Sequence, residues 1–149
     1  MSAAPRARRL GAEAAGAGLL VTAVVGSGIM ATSLTDDVGL ALLINAVSTV
    51  AALGVLIWTL GPISGAHFNP AVTIVATVRR ELSVTEGIAY VVAQLGGATL
   101  GVALANLMFE LPAWELSTTE RTGAGVWLGE IVATAGLIWV IGALTRTGR

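Results

Sequence analysis

Gly61-Pro62-Ile63-Ser64-Gly65-Ala66-His67-Phe68-Asn69-Pro70-Ala71-Val72-Thr73 is the stretch whose reading decides the fold. Gly61, Pro62, Ser64 and Gly65 oppose helix, and their clustering predicts a break. Asn69 is a good N-cap, and Pro70 falls at the first helical position, where its missing N–H costs nothing. The apolar run that follows, Ala71 to Val78, is too short to cross a bilayer, and Arg79-Arg80 end it. An irregular loop followed by a half-helix, from about Asn69 to Val78, is the predicted local structure. Broken backbone at membrane depth is tolerated only where protein buries it or water wets it. The segment therefore points to a polar conduit.

Its surroundings are those of a membrane protein. Of 149 residues, 55% are hydrophobic and only 11% are charged, which is too few to cover a soluble surface. A spanning helix needs roughly 20 apolar residues. Four segments qualify: Leu10 to Met30, Val38 to Leu60, Thr85 to Phe109 and Gly123 to Leu144. A soluble four-helix bundle would show a polar stripe along each helix, and these segments do not. Gly and Ala recur through all four, as expected where helices touch in lipid. Arg6, Arg8 and Arg9 before the first run resemble the start of a signal peptide, but the run is too long and more spans follow, so a retained helix is expected. Trp58, Trp114, Trp127 and Trp139 read as interface anchors or packing groups.

Arginine placement orients the chain. Arg6, Arg8, Arg9, Arg79, Arg80, Arg146 and Arg149 fall on one side of the predicted spans, and only Arg121 falls on the other. The positive-inside rule then puts both termini in the cytoplasm, in a cell (plasma or inner) membrane. Asp36-Asp37 and Arg79-Arg80 read as solvated loops. The sequence has no cysteine and a single histidine, so neither a thiolate site nor a histidine cluster for a metal is available. No cofactor, no nucleic-acid partner and no catalytic constellation is expected.

The N-terminus of the half-helix turns a positive partial charge to the membrane interior. Free carbonyls of an extended loop accept hydrogen bonds from passing solutes, and the Asn69 amide donates one. Neutral hydrogen-bonding solutes are favoured there; cations and hydronium are repelled.

Ser64-Gly65-Ala66-His67-Phe68-Asn69-Pro70-Ala71-Val72-Thr73 resembles the first NPA loop of the aquaporin and aquaglyceroporin family. Glu13 in Ala12-Glu13-Ala14-Ala15-Gly16 is similar to the first-helix glutamate of that family, Gln94 in Ala93-Gln94-Leu95-Gly96-Gly97 to its third-helix glutamine, and Glu130 in Gly129-Glu130-Ile131 to its fourth-helix glutamate. The resemblance implies an all-α polytopic fold: four transmembrane helices and one re-entrant half-helix. It makes residues 1–149 a single membrane domain. Residues 10–109 would be the first repeat, and 123–144 the first helix of a truncated second. It implies a path lined by the carbonyls of Gly65, Ala66, His67 and Phe68, with Asn69, Pro70 and Ala71 at mid-membrane. The narrow filter would take Thr49, twenty positions before Asn69, where the family has a bulky aromatic. A threonine widens the constriction and favours small polyols such as glycerol, or neutral metalloid hydroxides, over strict water selectivity.

Glu13 and Glu130, as carboxylates within spans, are candidates for solute or proton handling. The resemblance implies instead that each holds the backbone of a re-entrant loop. His67 either packs or lines the pore; the resemblance implies a packed side chain and a carbonyl facing solute. Gln94 and Asn45 also read as groups that bond across helices. The second NPA loop, its filter arginine and two further spans are not found after Glu130. The expectation is a passive channel, or a truncated part of one, whose pore needs a second repeat or a homo-oligomer to close. An inverted dimer requires insertion both ways, which the arginine bias opposes. Two rivals are a non-conducting partner or fragment, and a four-span proton-coupled exporter with Glu13 as its coupling carboxylate.

Overall fold

A computed structural model describes residues 4–115 and 117–146; Arg149, one of the orienting arginines, lies outside them. The elements are α1 (Arg6–Leu34), α2 (Val38–Ser64), α3 (Pro70–Val78), α4 (Val84–Met108) and α5 (Ala124–Arg146). α1, α2, α4 and residues Ala124–Thr145 of α5 are long and apolar enough to cross a membrane, and α3, at nine residues, is the half-helix. The chain is an all-α polytopic membrane protein.

Side chains at the helix starts do what the sequence asks of them. Asn69 Oδ1 accepts from the Ala71 N–H at 2.8 Å, and Ser83 Oγ accepts from the Glu86 N–H at 3.2 Å. Asp37 is more than a solvated loop residue, since its Oδ1 caps α2 by accepting from the Leu40 N–H at 3.0 Å.

The expected break at Gly61 lies four residues later. α2 runs on through Gly61, Pro62 and Ile63 to Ser64. Pro62 already has a helical φ; it forfeits the hydrogen bond to the Trp58 carbonyl and crowds that carbonyl, yet the helix runs on through Ile63 and Ser64. The stop is Gly65, whose φ of 91° is left-handed and whose N–H returns to the Gly61 carbonyl at 2.9 Å. The first span is also longer than read from hydropathy, because Arg6 to Arg9 continue the helix into the interface.

α1 through α4 form one compact unit that ends at Glu115; α5 lies in a second. In the first unit, α1 packs against α4 and α2, and α3 packs against α4. Lipid supplies no hydrophobic force between helices, so close approach and polar contacts must hold them. Glycine permits that approach. A Cβ on Gly97 would run into the Ala14 backbone, and one on Gly101 into the Gly18 carbonyl. Thr22 adds a cross-helix hydrogen bond to the Gly101 carbonyl at 3.1 Å. A small apolar core of Ala17, Leu56 and Phe68 sits beside this seam, edged by Leu20, Leu53, Leu60 and Ala66. α5 is a 23-residue apolar helix carrying exposed Trp127 and Trp139.

The seam is tested by a matched pair of substitutions. Gly97→Leu must push α1 and α4 apart and should cost about 1–3 kcal/mol. Gly96→Leu meets nothing within 4 Å and should change stability by no more than about 0.5 kcal/mol. Thermal unfolding in detergent reads both, and equal losses would rule out close α1–α4 packing at Gly97.

Candidate functional site

The segment between α2 and α3 is not extended. Gly65, Ala66 and Phe68 take positive φ values of 91°, 53° and 48°. For Ala and Phe a left-handed backbone costs roughly 1–2 kcal/mol each, so something must hold it. Holding groups surround the loop. Ser64 Oγ accepts from the Ala66 N–H at 3.1 Å. Glu13 Oε1 accepts from the His67 N–H at 3.1 Å, and Glu13 Oε2 accepts from the Phe68 N–H at 2.8 Å. The loop amides thus turn inward. The carbonyls of Gly65, Ala66, His67 and Phe68 accept no hydrogen bond among the described residues.

Glu13 is fully buried, yet both oxygens are met. Besides the two loop amides, the Ser64 hydroxyl donates to Oε1 at 2.6 Å and Gln94 Nε2 donates to Oε2 at 2.8 Å. Gln94 Nε2 also donates to Thr73 Oγ1 at 2.8 Å. This fixes the amide orientation, because turning Oε1 toward Glu13 would set oxygen against oxygen. Its consequence is a buried Gln94 Oε1 with no partner.

Thr73, itself fully buried, ties the half-helix to the loop. Its hydroxyl donates to the Asn69 carbonyl at 3.2 Å and lies 3.0 Å from His67 Nδ1. With the Thr73 proton on that carbonyl, His67 Nδ1 carries its own proton and donates to Thr73. The imidazole also meets the Tyr90 ring edge-on at 5.5 Å between centroids. So the His67 side chain is half-buried and packed. Tyr90, fully buried, donates its hydroxyl to the Ser64 carbonyl at 2.9 Å, which satisfies a group left open at the end of α2. The Phe68 ring fills the space that a side chain at position 16 would need, so Gly16 is fixed by the loop.

One turn toward the N-terminus of α1 from Glu13 is Arg9, and one turn toward the N-terminus of α4 from Tyr90 is Glu86. Arg9 Nη2 lies 2.7 Å and Arg6 Nε 3.2 Å from the Glu86 carboxylate. The α1–α4 seam is therefore ionic at its arginine end, hydrogen-bonded at the loop, and glycine-packed beyond it.

The structure thus gathers Glu13, Gln94, Gly65, Ala66, His67, Phe68, Asn69, Pro70 and Ala71 around one loop. Asn69 uses Oδ1 on its own helix, and its Nδ2 donates to nothing among the described residues. Thr49 lies half-buried on α2 with its hydroxyl on the Asn45 carbonyl at 2.8 Å. Glu130 is on α5 and exposed. Ser64, Thr73, Tyr90 and Glu86 were not singled out from sequence as parts of this site. For Glu86 and Tyr90 the signal was spacing, since residues 86, 90 and 94 share one face of α4 at intervals of four; Ser64 and Thr73 stood at the two ends of the quoted loop string without an assigned role.

The family described as Major intrinsic protein matches residues 1–149. The chain is 54% identical over 142 residues to Aquaglyceroporin AqpS of Rhizobium meliloti (strain 1021), covering 95% of this chain and 61% of that protein. It is 37% identical over 111 residues to Aquaporin-B of Dictyostelium discoideum, covering 68% of this chain and 38% of that protein. It is 39% identical over 103 residues to Aquaporin-2 of Homo sapiens, covering 65% of this chain and 38% of that protein. The chain belongs to the major intrinsic protein family, and it spans less than two thirds of the length of each of these relatives.

Glu13 sets the stability of the site. Glu13→Gln places an NH2 donor where two donors already converge, and each buried donor left unpaired costs about 1–3 kcal/mol. The variant should lose at least about 2 kcal/mol in detergent unfolding, against about 1–2 kcal/mol for Tyr90→Phe. A Glu13→Gln chain as stable as wild type would contradict the hub geometry.

Proposed function

We propose that this chain forms one wall of a passive channel for water or small neutral solutes. The observation that carries the reading is the loop: its amides are tied to Glu13 and Ser64, while among the described residues its four carbonyls, Gly65 to Phe68, accept no hydrogen bond and the adjoining Asn69 Nδ2 donates none. Lipid cannot donate to those carbonyls, and each unsatisfied group at membrane depth costs several kcal/mol. A file of water or hydroxylated solute satisfies them. Cations are opposed by the positive end of α3.

Thr49 takes the place of a bulky aromatic and widens the constriction. Small polyols such as glycerol, or neutral metalloid hydroxides, are the solutes proposed. The name of one relative, an aquaglyceroporin, supports that choice. The proposed setting is the cell membrane with both termini cytoplasmic. Residues 10–109 serve as the first repeat and 123–144 as the first helix of a second. Glu130 would support a second loop as Glu13 supports the first.

The exporter reading finds little support. A coupling carboxylate must exchange protons with water, whereas Glu13 is fully buried and takes four protein donors. The described residues hold a single half-helix, so the wall opposite the carbonyls must come from a second repeat or a second copy.

In liposomes, the purified chain alone should give no water or glycerol flux above protein-free controls. Co-reconstitution with a polypeptide carrying the second repeat should produce passive, gradient-driven flux. Saturable flux from the chain alone would overturn the half-wall proposal, and flux driven by a proton gradient would restore the exporter.

A further inference from the structure

Away from the loop, one polar cluster at membrane depth does more than hold helices together. Asn45 lies seven residues into α2, about 10 Å along its axis from Val38. Its Nδ2 donates to the Val24 carbonyl of α1 at 2.7 Å and to Ser27 Oγ at 3.0 Å. The amide protons are thus engaged on α1, while Oδ1 accepts nothing among the described residues.

Its neighbours present themselves the same way. Thr49, one turn on, gives its proton to the Asn45 carbonyl and leaves its oxygen lone pairs open. Ser27 gives its proton to the Val24 carbonyl at 3.2 Å and accepts from Asn45. All three side chains therefore offer acceptors and no free proton. The face of α2 that carries Asn45 and Thr49 continues, at intervals of three and four residues, through Leu53, Leu56 and Leu60. Those leucines pack in the same cluster as Phe68. The acceptors thus lie on the stripe of α2 that packs, farther along, against the Phe68 side chain of the loop.

An open acceptor at this depth is costly against lipid and needs water or a donor-bearing solute. We propose that Asn45, with Ser27 and Thr49, forms an outer subsite for neutral solutes rich in O–H or N–H groups, and that Asn45 determines specificity there. The inference rests on the channel reading above and adds to it a solute-selecting position one turn outside Thr49. A polyol sheds more hydration than water when it enters a narrow path, so each wall acceptor matters more to it than to water.

The test uses the full chain co-reconstituted with a second-repeat polypeptide, with water and glycerol permeabilities measured on the same liposomes. Asn45→Leu removes the acceptor at similar volume. Glycerol permeability should fall about five- to tenfold, the range expected for one hydrogen bond, with water permeability changed less than twofold. Ser27→Ala keeps Asn45 but frees one of its amide protons, and should lower the glycerol-to-water ratio by a smaller factor in the same direction. It carries the test if Asn45→Leu does not fold. A conducting wild type with an unchanged ratio in the folded variants overturns the subsite and leaves the channel reading standing. A wild-type assembly that passes neither solute overturns the channel reading, and the subsite with it.

Discussion

Four donors converge on the two carboxylate oxygens of Glu13: a hydroxyl from the end of α2, two amides from the irregular loop, and an amide from α4. The rest of the unit depends on that convergence. Without an acceptor-only group at this place, the His67 and Phe68 N–H groups would be orphaned at membrane depth. The left-handed turns at Ala66 and Phe68 would then have nothing to offset their cost. With it, the loop is held so that its amides face protein and its carbonyls do not. One buried carboxylate thereby decides that the loop turns its amides to protein and leaves its carbonyls open.

The seam between α1 and α4 is arranged to hold Glu13 in register. On its arginine side Arg6 and Arg9 clamp Glu86; on the other side Gly97 and Gly101 let the α1 backbone approach directly. Between them Tyr90 and Gln94 reach across, one to the Ser64 carbonyl and one to Glu13 and Thr73. A larger residue at 97 would lift α4 away, and Gln94 would lose both partners. The glycines therefore act on the loop through the register of a neighbouring helix, without touching it. Phe68 closes the arrangement by laying its ring on Gly16.

Much of this was legible in the residues. Spans are set by long apolar runs, and a half-helix by Asn69-Pro70 followed by a run too short to cross. Glu13 stood out as a carboxylate inside an apolar span, but that alone pointed equally to solute or proton handling, and its place against the loop came from the family resemblance. Other features were not legible, for physical reasons. Pro62 looked like a stop, yet α2 carries it and runs two residues further, and the left-handed Gly65 makes the real one. The loop looked extended, because a sequence shows which residues avoid helix but not which amides a distant carboxylate will claim. Tyr90 looked like an ordinary membrane residue, and Thr73 was only the last member of the loop string. Their roles exist only once α4 is set against α1 and the loop.

The direct measurement of the central claim is amide hydrogen exchange at His67 and Phe68, with the full chain in lipid nanodiscs. Amides tied to Glu13 predict exchange at these two positions as slow as in the middle of α1, despite their lying outside any helix. Fast exchange there, comparable to that of the Thr35–Asp37 turn, would show that the loop is not held by Glu13 and would contradict the account.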